Sequence, residues 1–541
     1  MTSVLPRTEM QLELDGDSLT IEDLVAVARG GVTAALSRHA IPRIEAAREL
    51  KRELIAREIP IYGVTTGFGD SAHRQIAPSK TAALQHNVLR DLGCGTGPVA
   101  APDVTRATML LRSNCLAKGN SGVRVELIER LLTLLNGDVL PQIPERGSCG
   151  ASGDLVPLSY IGSALVGEAD VLTHGDVRPA ADVLAELELK PFELEAKEGL
   201  GLVNGTSFIT AFAALAVADA RDLADVSDLC TAMASEALLG NRGHFNAFLF
   251  DAKPHAGMIE SARMIRGLLD GSRLALDSEE IFAGEDLDGR DYLELHRQVQ
   301  DKYSIRCAPH VCGMLRDTLE WAWRWVEIEM NSSDDNPLFD TGSGRVQSGG
   351  NFYGGHMGQA MDSLKVALAN LCDLMDRQLE LVVDEKFNAG LTPNLIREVA
   401  PDDPEAGVHH GFKGMQLCCS AMTAEALKLS NPATVFSRST EAHNQDKVSM
   451  ATIAARDARS IVELAQNVAA IHLLAATQAL DLRGPEKASP VTRAAHDIVR
   501  SRVPFMDGDR RMDEDIREVV ELIRSGELSR LARAGAEPIG S

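Results

Sequence analysis

The segment Ala151-Ser152-Gly153 carries the most unusual potential chemistry in this chain. Glycine has no side chain, so the backbone at Gly153 can bend until its amide nitrogen meets the carbonyl carbon of Ala151. Attack at that carbon closes a five-membered ring. Loss of water from the ring and from the Ser152 hydroxyl then leaves an exocyclic methylidene, an electrophile that no ordinary side chain provides.

Several other segments contain side chains that could act around such an electrophile. The loop Ile61–Gly69 is glycine-rich and contains Tyr62, whose phenol could serve as a base if its surroundings lower its pKa. We expect helix N-termini directed at the site to lower it. Tyr62 could instead only anchor the loop. Asn204 precedes a glycine and a helix start, so it is either a cap residue or an amide aimed at a reactive carbonyl. Arg306 offers a planar fork for a carboxylate, or a salt bridge to one of the 78 acidic residues.

The composition excludes some classes of partner. The 541 residues carry a net charge of −24 and contain no long basic run, so neither nucleic acid nor an anionic membrane is expected as a partner. Nine scattered cysteines are typical of a reducing compartment. Residues 1–15 do not resemble a signal peptide, and no uninterrupted apolar run is expected to span a bilayer. These features together predict a cytoplasmic protein.

Cofactors of the common kinds are not predicted either. His409-His410 is the only adjacent histidine pair and has no ligand spacing around it, so we expect no metal site. No glycine-rich phosphate loop follows a plausible strand, so we expect no bound nucleotide.

Helical periodicity dominates the chain from about Asp103 onward. Apolar residues that recur every three or four positions predict one buried helix face, and they are Met361, Leu364, Leu368, Leu371 and Met375. Long helices are predicted in four segments: Ser207 to Leu239, Val311 to Met330, Gly358 to Glu385 and Lys447 to Leu480. Several helices of this length indicate a bundle.

Strand signals are few and short. Two hairpins are predicted, from Asp170 to Pro179 and from Leu338 to Val346. The stretch from Asp277 to Asp301 is polar and weakly patterned, and is either a mobile lid or a surface insertion. We predict three parts: an N-terminal domain over 1–205, a central bundle over 206–480 with a lid near 277–305, and a helical end over 481–541.

Three motifs together resemble the aromatic amino acid ammonia-lyases and the related aminomutases. They are Tyr-Gly-Val-Thr-Thr-Gly-Phe-Gly at 62–69, Gly-Ala-Ser-Gly-Asp-Leu at 150–155 and Asp-Asp-Asn-Pro-Leu at 334–338. The resemblance runs from Ile61 to about Ile523. It implies a mainly α fold with a long central helix bundle of the ammonia-lyase (fumarase/aspartase-like) type, a loop-rich N-terminal region and only short hairpins. It also implies a homotetramer whose active sites combine residues from three subunits.

The same resemblance implies a 4-methylidene-imidazol-5-one (MIO) cofactor made from Ala151, Ser152 and Gly153, and it implies roles for further residues. Tyr62 is similar to the family's base, and Asn204 to the residue that holds the MIO carbonyl region. Tyr303 resembles the tyrosine beside the MIO, and Arg306 resembles the carboxylate clamp. The substrate-binding set is completed by Gly69, Asp91, Leu92, Phe352 and Gln445.

Ring selectivity in this family depends on the position of Asp91-Leu92. Tyrosine-selective members place histidine and leucine there, phenylalanine-selective plant members phenylalanine and leucine, and histidine lyases serine and histidine. A carboxylate at Asp91 could accept from a phenolic or catecholic hydroxyl or a ring amino group, or it could pair with Arg90, His86 or another protein cation. His310, where glutamine is usual, could alter the pocket wall or have no effect.

These residues predict an ammonia-lyase that converts an aromatic L-amino acid, namely tyrosine, phenylalanine or a ring-hydroxylated analogue, into an arylacrylate. A 2,3-aminomutase on the same scaffold is the alternative, because the two differ in how long the product stays under a closed lid. Leu92 and Gln445 argue against histidine as the substrate, because histidine lyases carry glutamate where Gln445 stands. A non-catalytic protein on this fold is opposed by the intact Ser152, Tyr62 and Arg306.

Overall fold

The computed structural model describes residues 11–536. The first part of the N-terminal segment and the last five residues of the predicted helical end therefore lie outside the described residues. Contacts along the chain divide it into two compact units. Of the described residues, the first unit contains 11–218, 322–362 and 432–459, and the second contains 219–321, 363–431 and 460–536.

The protein is mainly helical, as predicted. Its helices are α1 Ile21–Ala28, α2 Ile41–Ala56, α3 Thr81–Leu92, α4 Pro102–Ala117, α5 Val125–Asn136, α6 Leu155–Leu165, α7 Ala180–Glu186, α8 Glu198–Val203, α9 Ser207–Ala237, α10 Ala247–Asp251, α11 Ala256–Leu268, α12 Ser278–Ile281, α13 Tyr303–Arg306, α14 Ala308–Met330, α15 Gly355–Val383, α16 Lys413–Leu429, α17 Ala451–Arg483, α18 Pro490–Arg502, α19 Asp513–Arg524 and α20 Glu527–Ala536.

The four predicted long helices are confirmed with small shifts at their ends, as α9, α14, α15 and α17. They form because apolar residues recur at helical spacing and are removed from water on folding. The predicted stripe on α15 is fully buried at all of its positions: Met361, Leu364, Leu368, Leu371 and Met375. Each of the four helices has residues in both units.

The strands are short and all belong to the first unit. They are β1 Gln11–Leu14, β2 Thr33–Leu36, β3 Thr96–Val99, β4 Leu140–Pro141, β5 Pro144–Arg146, β6 Asp170–Thr173, β7 Asp176–Pro179, β8 Leu338–Asp340 and β9 Arg345–Gln347. Both predicted hairpins are confirmed, as the antiparallel pairs β6–β7 and β8–β9. Strand β4 joins the first hairpin, while β1 pairs with β2 in parallel and β3 with β5 antiparallel.

Helix packing builds the first unit around the segment that holds Ser152. Helices α3, α6 and α8 contact one another, and α4 packs against α1 and α5. The interior side of α5 is apolar because Leu127, Leu131 and Leu134 recur on one helix face, and all three are buried. The contacts of α6 with α3 and α8 hold the helix that begins directly after the loop with Ser152.

In the second unit α11 contacts α10 and α20, and α18, α19 and α20 contact one another. The stretch between α12 and α13 has no regular secondary structure. Its role as a lid stays a prediction, as does the division of the chain into three parts.

Helix α17 has the length and composition to cross a bilayer. The sequence expectation concerned uninterrupted apolar runs, and polar residues interrupt the apolar sequence of α17. However, 78% of its apolar window is buried inside the protein, as is typical of a core helix.

Candidate active site

The backbone bends sharply at Ser152 and Gly153, in the loop between β5 and α6. Ser152 has φ +52° and Gly153 has φ +76°, a left-handed conformation that is costly for most residues and free for glycine. A side chain at position 153 would overlap the backbone carbonyl of Gly205. Glycine at this position is therefore required by both the conformation and the close approach of a second segment.

That second segment, residues 204–206, is hydrogen-bonded to the bend. The Ser152 carbonyl accepts from Gly205 N at 3.3 Å and from Asn204 Nδ2 at 3.4 Å. Asp154 N donates to the Gly205 carbonyl at 2.7 Å. Asn204 therefore donates to a carbonyl of the Ala151-Ser152-Gly153 segment.

Asp154 is fully buried directly after the bend. Its carboxyl group accepts from Ile209 N at 2.7 Å and from the hydroxyls of Thr452 and Ser148 at 2.8 and 3.2 Å. Burial raises its pKa to about 7, against the effect of these hydrogen bonds. The bend is thus fastened to α9 and α17 through one carboxyl group.

Tyr62 lies on the glycine-rich loop, and its hydroxyl oxygen accepts from Gly69 N at 3.0 Å. Burial raises the pKa of Tyr62, the Gly69 hydrogen bond lowers it and the nearby Glu441 charge raises it, with a net upward shift. The sequence predicted a lowered pKa caused by helix N-termini. That prediction is wrong for the described chain, because removal from water and a neighbouring carboxylate both disfavour the phenolate.

Glu441 connects this loop to the segment 439–445. Its carboxylate accepts from Asp70 N at 3.0 Å and lies so close to Gly69 that any side chain there would overlap it. Glu441, Ala442 and His443 have successive positive φ angles of 52°, 50° and 64°. This rare backbone path directs the Glu441 carboxylate and the Gln445 amide toward the same space.

A cavity of about 350 Å³ joins these features within the first unit. Its lining residues are Tyr62, Phe68, Gly69, Leu84, Asn87, Val88, Asp91, Leu92, Ser152, Leu155, Leu200, Asn204, Glu441 and Gln445. Gln445 Nε2 donates to Ser152 Oγ at 3.1 Å. The structure therefore brings together seven of the predicted site residues: Tyr62, Gly69, Asp91, Leu92, Ser152, Asn204 and Gln445.

Asp91 lies in the last turn of α3 and is exposed to this cavity. The neighbouring Arg90 is engaged elsewhere, because its Nε and Nη2 donate to both oxygens of Glu168 at 2.9 and 2.5 Å. His86 also faces Glu168, at 3.9 Å. Within residues 11–536 the Asp91 carboxylate has no hydrogen-bonding or ion-pair partner, so the pairing with Arg90 or His86 that the sequence left open does not occur.

Other predicted residues are not part of the cavity lining. Phe352 is half-buried in the loop before α15. Tyr303 and Arg306 belong to α13 in the second unit, where the Arg306 guanidinium lies 4.6 Å from the Tyr303 ring centre and Arg306 Nε donates to the Asp301 carbonyl at 3.1 Å. The Tyr303 side chain is 72% exposed.

His310 also lies in the second unit, at the start of α14. Its ring packs against Phe250 with 5.8 Å between ring centres. Burial and the charges of Lys253 and His255 lower its pKa. Within residues 11–536 the His310 ring makes this aromatic contact and no hydrogen bond.

Sequence reasoning selected none of the other seven lining residues, which are Phe68, Leu84, Asn87, Val88, Leu155, Leu200 and Glu441. Leu84, Asn87 and Val88 precede Asp91 at helical spacing on α3, so periodicity could have identified the whole face once Asp91 was chosen. Glu441 lies four residues before Gln445, but only Gln445 was selected from this segment. No sequence pattern predicts the positive φ angles that direct the Glu441 side chain into the cavity.

Within the described part of the chain, no group of three or more His, Cys, Asp or Glu side chains could hold a metal ion.

Comparison with known proteins gives a consistent result. The model of the aromatic amino acid lyase family matches residues 19–501. The chain is 40% identical over 517 residues to a histidine ammonia-lyase of Gloeobacter violaceus, with 96% of both chains covered. It is 39% identical over 524 residues to the MIO-dependent tyrosine 2,3-aminomutase of Streptomyces globisporus, again with 96% of both covered.

Solved structures agree with this. The crystal structure of tyrosine aminomutase from Streptomyces globisporus superposes with a TM-score of 0.92 at 37% identity, covering 98% of this chain and 100% of that one. The Pantoea agglomerans phenylalanine aminomutase superposes with a TM-score of 0.89 at 31% identity, covering 95% and 99%. The chain therefore belongs to the aromatic amino acid lyase family, and it is a carbon–nitrogen lyase by family and by fold.

Proposed function

We propose that this chain is an ammonia-lyase of aromatic L-amino acids whose electrophile is an MIO group formed from Ala151, Ser152 and Gly153. The fit is supported by the left-handed bend at Ser152 and Gly153. Gly153 N donates no hydrogen bond within residues 11–536, so its nitrogen is available for ring closure. Once formed, the group would supply an electrophile for the substrate amine.

Residues around the bend would assist both ring formation and the reaction. The Gln445 amide, 3.1 Å from Ser152 Oγ, would stabilise the departing oxygen by hydrogen bonding. Asn204 would hold the Ser152 carbonyl. Tyr62 would accept the β-hydrogen as general base, a contribution of roughly 10²–10⁴ in rate.

The substrate carboxylate would be held by Arg306 beside Tyr303, with Phe352 packed near the MIO. This assignment depends on the family resemblance, because all three residues are absent from the described cavity lining. It goes together with assembly as a homotetramer, in which neighbouring chains complete each site. Sedimentation velocity of the purified enzyme tests the assembly: a monomer at working concentration would contradict it.

Our choice of the substrate's aromatic ring depends on one observation, the environment of Asp91 in the cavity. The Asp91 carboxylate is exposed, lines the cavity and has no partner within residues 11–536, so it would gain most from a donor on the ligand. Leu92 beside it offers an apolar wall. A phenolic or catecholic hydroxyl meets both requirements, so tyrosine or a ring-hydroxylated analogue is the proposed substrate, ahead of phenylalanine.

Histidine is the second candidate. Several relatives of high identity are named histidine ammonia-lyases, and an imidazole N–H could also donate to Asp91. Leu92 is apolar and Gln445 is uncharged, so both favour a substrate whose aromatic ring carries no positive charge. An aminomutase reaction on tyrosine is the third candidate, since a relative of nearly equal identity is named for it.

One set of measurements separates these candidates. Intact mass of the purified wild-type chain should be lower than the translation product by two water molecules. The enzyme is then assayed with phenylalanine, tyrosine, 3,4-dihydroxyphenylalanine and histidine, and both arylacrylate and β-amino acid are quantified. Preference for a hydroxylated ring with arylacrylate in excess supports the proposal. An unmodified mass refutes the MIO assignment, fastest turnover of histidine refutes the ring assignment, and excess β-amino acid indicates the aminomutase.

Asp91→Asn in the same panel tests the donor. The substitution keeps the shape but weakens the acceptor, so kcat/KM for the hydroxylated substrate should fall about tenfold while that for phenylalanine changes little. Asp176→Asn, at the start of β7 in the β6–β7 hairpin, is the matched control. An unchanged substrate ranking would remove Asp91 from the proposal.

We also propose that the enzyme acts in the cytoplasm. All nine cysteines are free in the structure, as expected of a reducing compartment. Fractionation of the native cells, followed by detection of the enzyme in each fraction, tests this location.

A further inference from the structure

Two carboxyl groups lie within hydrogen-bonding distance of one hydroxyl, that of Thr206 in the 204–206 segment. Thr206 Oγ1 lies 2.9 Å from Asp334 Oδ2 and 2.7 Å from Glu329 Oε1. A threonine hydroxyl has only one hydrogen to donate. If both carboxyl groups were ionised, one of these short contacts would join two oxygen atoms with no proton between them, so one carboxyl group must hold a proton.

The surroundings assign that proton to Glu329. Asp334 pairs with the Arg112 guanidinium and also accepts from Thr206 N and Cys115 Sγ, each at 2.8 Å. These donors stabilise its ionised form. Glu329 has Thr206 as its hydrogen-bonding partner and no cation within ion-pair distance in the described residues.

Electrostatics agree with this assignment. Burial raises the pKa of Glu329 to about 7, and the charges of Asp334 and Asp154 add to the upward shift against the Thr206 hydrogen bond. A protonated Glu329 can donate to Thr206 Oγ1. The Thr206 hydroxyl can then donate to Asp334. One proton then lies in each of the two contacts, Glu329 to Thr206 and Thr206 to Asp334.

We propose that Glu329 is a positioning residue of this active site, a neutral carboxylic acid that donates a hydrogen bond to Thr206 and so holds the 204–206 segment against the bend at Ser152 and Gly153. Glu329 is on α14 and does not line the cavity. It acts through Thr206, which precedes α9 and follows the two residues that bond the Ser152 carbonyl. The consequence for turnover depends on the proposed function, but the protonation state does not.

Infrared spectroscopy measures the protonation state directly. At about pH 6, below the Glu329 pKa of about 7, the wild-type enzyme should show the carbonyl stretch of a protonated carboxyl group, and Glu329→Gln should remove one such band. Asp154, whose pKa is also raised to about 7, remains as an internal reference. Thr206→Val should move the Glu329 band to higher frequency, because its hydrogen-bonding partner is lost. A wild-type spectrum that Glu329→Gln leaves unchanged would overturn the proposal.

Variants measure the consequence for the reaction. Glu329→Leu removes the donor and should lower kcat about tenfold, whereas Glu329→Gln keeps an N–H donor and should stay within about threefold of wild type. Glu327→Gln, on the same helix, is the matched control and should change neither the infrared band nor kcat. Equal loss in the Leu and Gln variants, or no loss in either, would contradict a donor role. Failure of the MIO proposal itself would appear in the intact mass of the wild-type chain and would leave the infrared result unaffected.

Discussion

Gln445 donates its side-chain amide to the hydroxyl oxygen of Ser152 at 3.1 Å, across 293 residues of sequence. Within the described part of the chain this is the hydrogen bond made by the Ser152 side chain. The contact joins the segment 439–445 to the bend that we propose as the cofactor precursor. If the proposed function is correct, this contact would give Gln445 a role in making the electrophile, in addition to its place in the cavity wall.

Gln445→Leu should therefore slow formation of the cofactor. Without the amide, the departing Ser152 oxygen lacks a donor, and a fraction of purified chains should retain the unmodified mass. Intact-mass spectrometry at fixed times after synthesis gives that fraction, and Asn444→Leu serves as the neighbouring control. Complete loss of two water molecules at the wild-type rate would show that Gln445 is not needed for ring formation.

Tyr62→Phe should separate cofactor formation from catalysis. The phenol oxygen is lost while the ring that fills the cavity wall is kept, so the mass deficit of two water molecules should remain. Turnover should fall by roughly 10²–10⁴, the usual contribution of a general base. Ser152→Ala is the comparison variant, in which the deficit and the activity should both disappear. Wild-type turnover in Tyr62→Phe would exclude this tyrosine as the base.

Glu441→Gln should shift the pH dependence of the reaction. The Glu441 charge contributes to the raised pKa of Tyr62, and the base must be deprotonated, so kcat/KM should rise with pH on the alkaline side. Glutamine keeps the oxygen that accepts from Asp70 N but removes the charge. The Tyr62 pKa should fall, and the rising limb of log kcat/KM against pH should move to lower pH.

Asp446→Asn, directly after the segment 439–445, is the control for charge removal near the site. Its rising limb should coincide with that of the wild-type enzyme. In Glu441→Gln, the rising limb of log kcat/KM against pH could instead move to higher pH or stay in place. Either result would contradict the electrostatic coupling between Glu441 and Tyr62.

Sequence reasoning predicted the long helices because their apolar residues recur at a spacing that only a helix can bury on one side. It also predicted the bend at Ser152, because glycine at 153 allows backbone conformations that other residues rarely adopt. It could not predict the raised Tyr62 pKa, which depends on burial in the folded loop and on Glu441. The sequence also could not predict that Asp91 has no partner within residues 11–536, because this depends on the pairing of Arg90 with Glu168, 78 residues away.

In the second unit, the ion pair between His496 and Asp481 predicts how stability depends on pH. His496 Nε2 lies 2.7 Å from Asp481 Oδ1, and Arg500 contacts the other Asp481 oxygen at 2.7 Å. Burial lowers the pKa of His496, but the hydrogen bonds to Asp481 and Asp497 outweigh it and raise the pKa above 6.5. The folded state therefore binds the proton more tightly than the unfolded state does.

The stabilisation from this proton should be fully present below about pH 6.5, the unfolded value, and should be lost as pH rises through the folded pKa. We expect His496→Gln to lower the free energy of unfolding by about 1.5–3 kcal/mol at acidic pH, the range for a charge-assisted hydrogen bond. The difference from wild type should shrink at alkaline pH. Thermal unfolding across this range measures it, with the exposed His39→Gln as control. A difference that is constant with pH would mean that His496 contributes through packing and not through its charge.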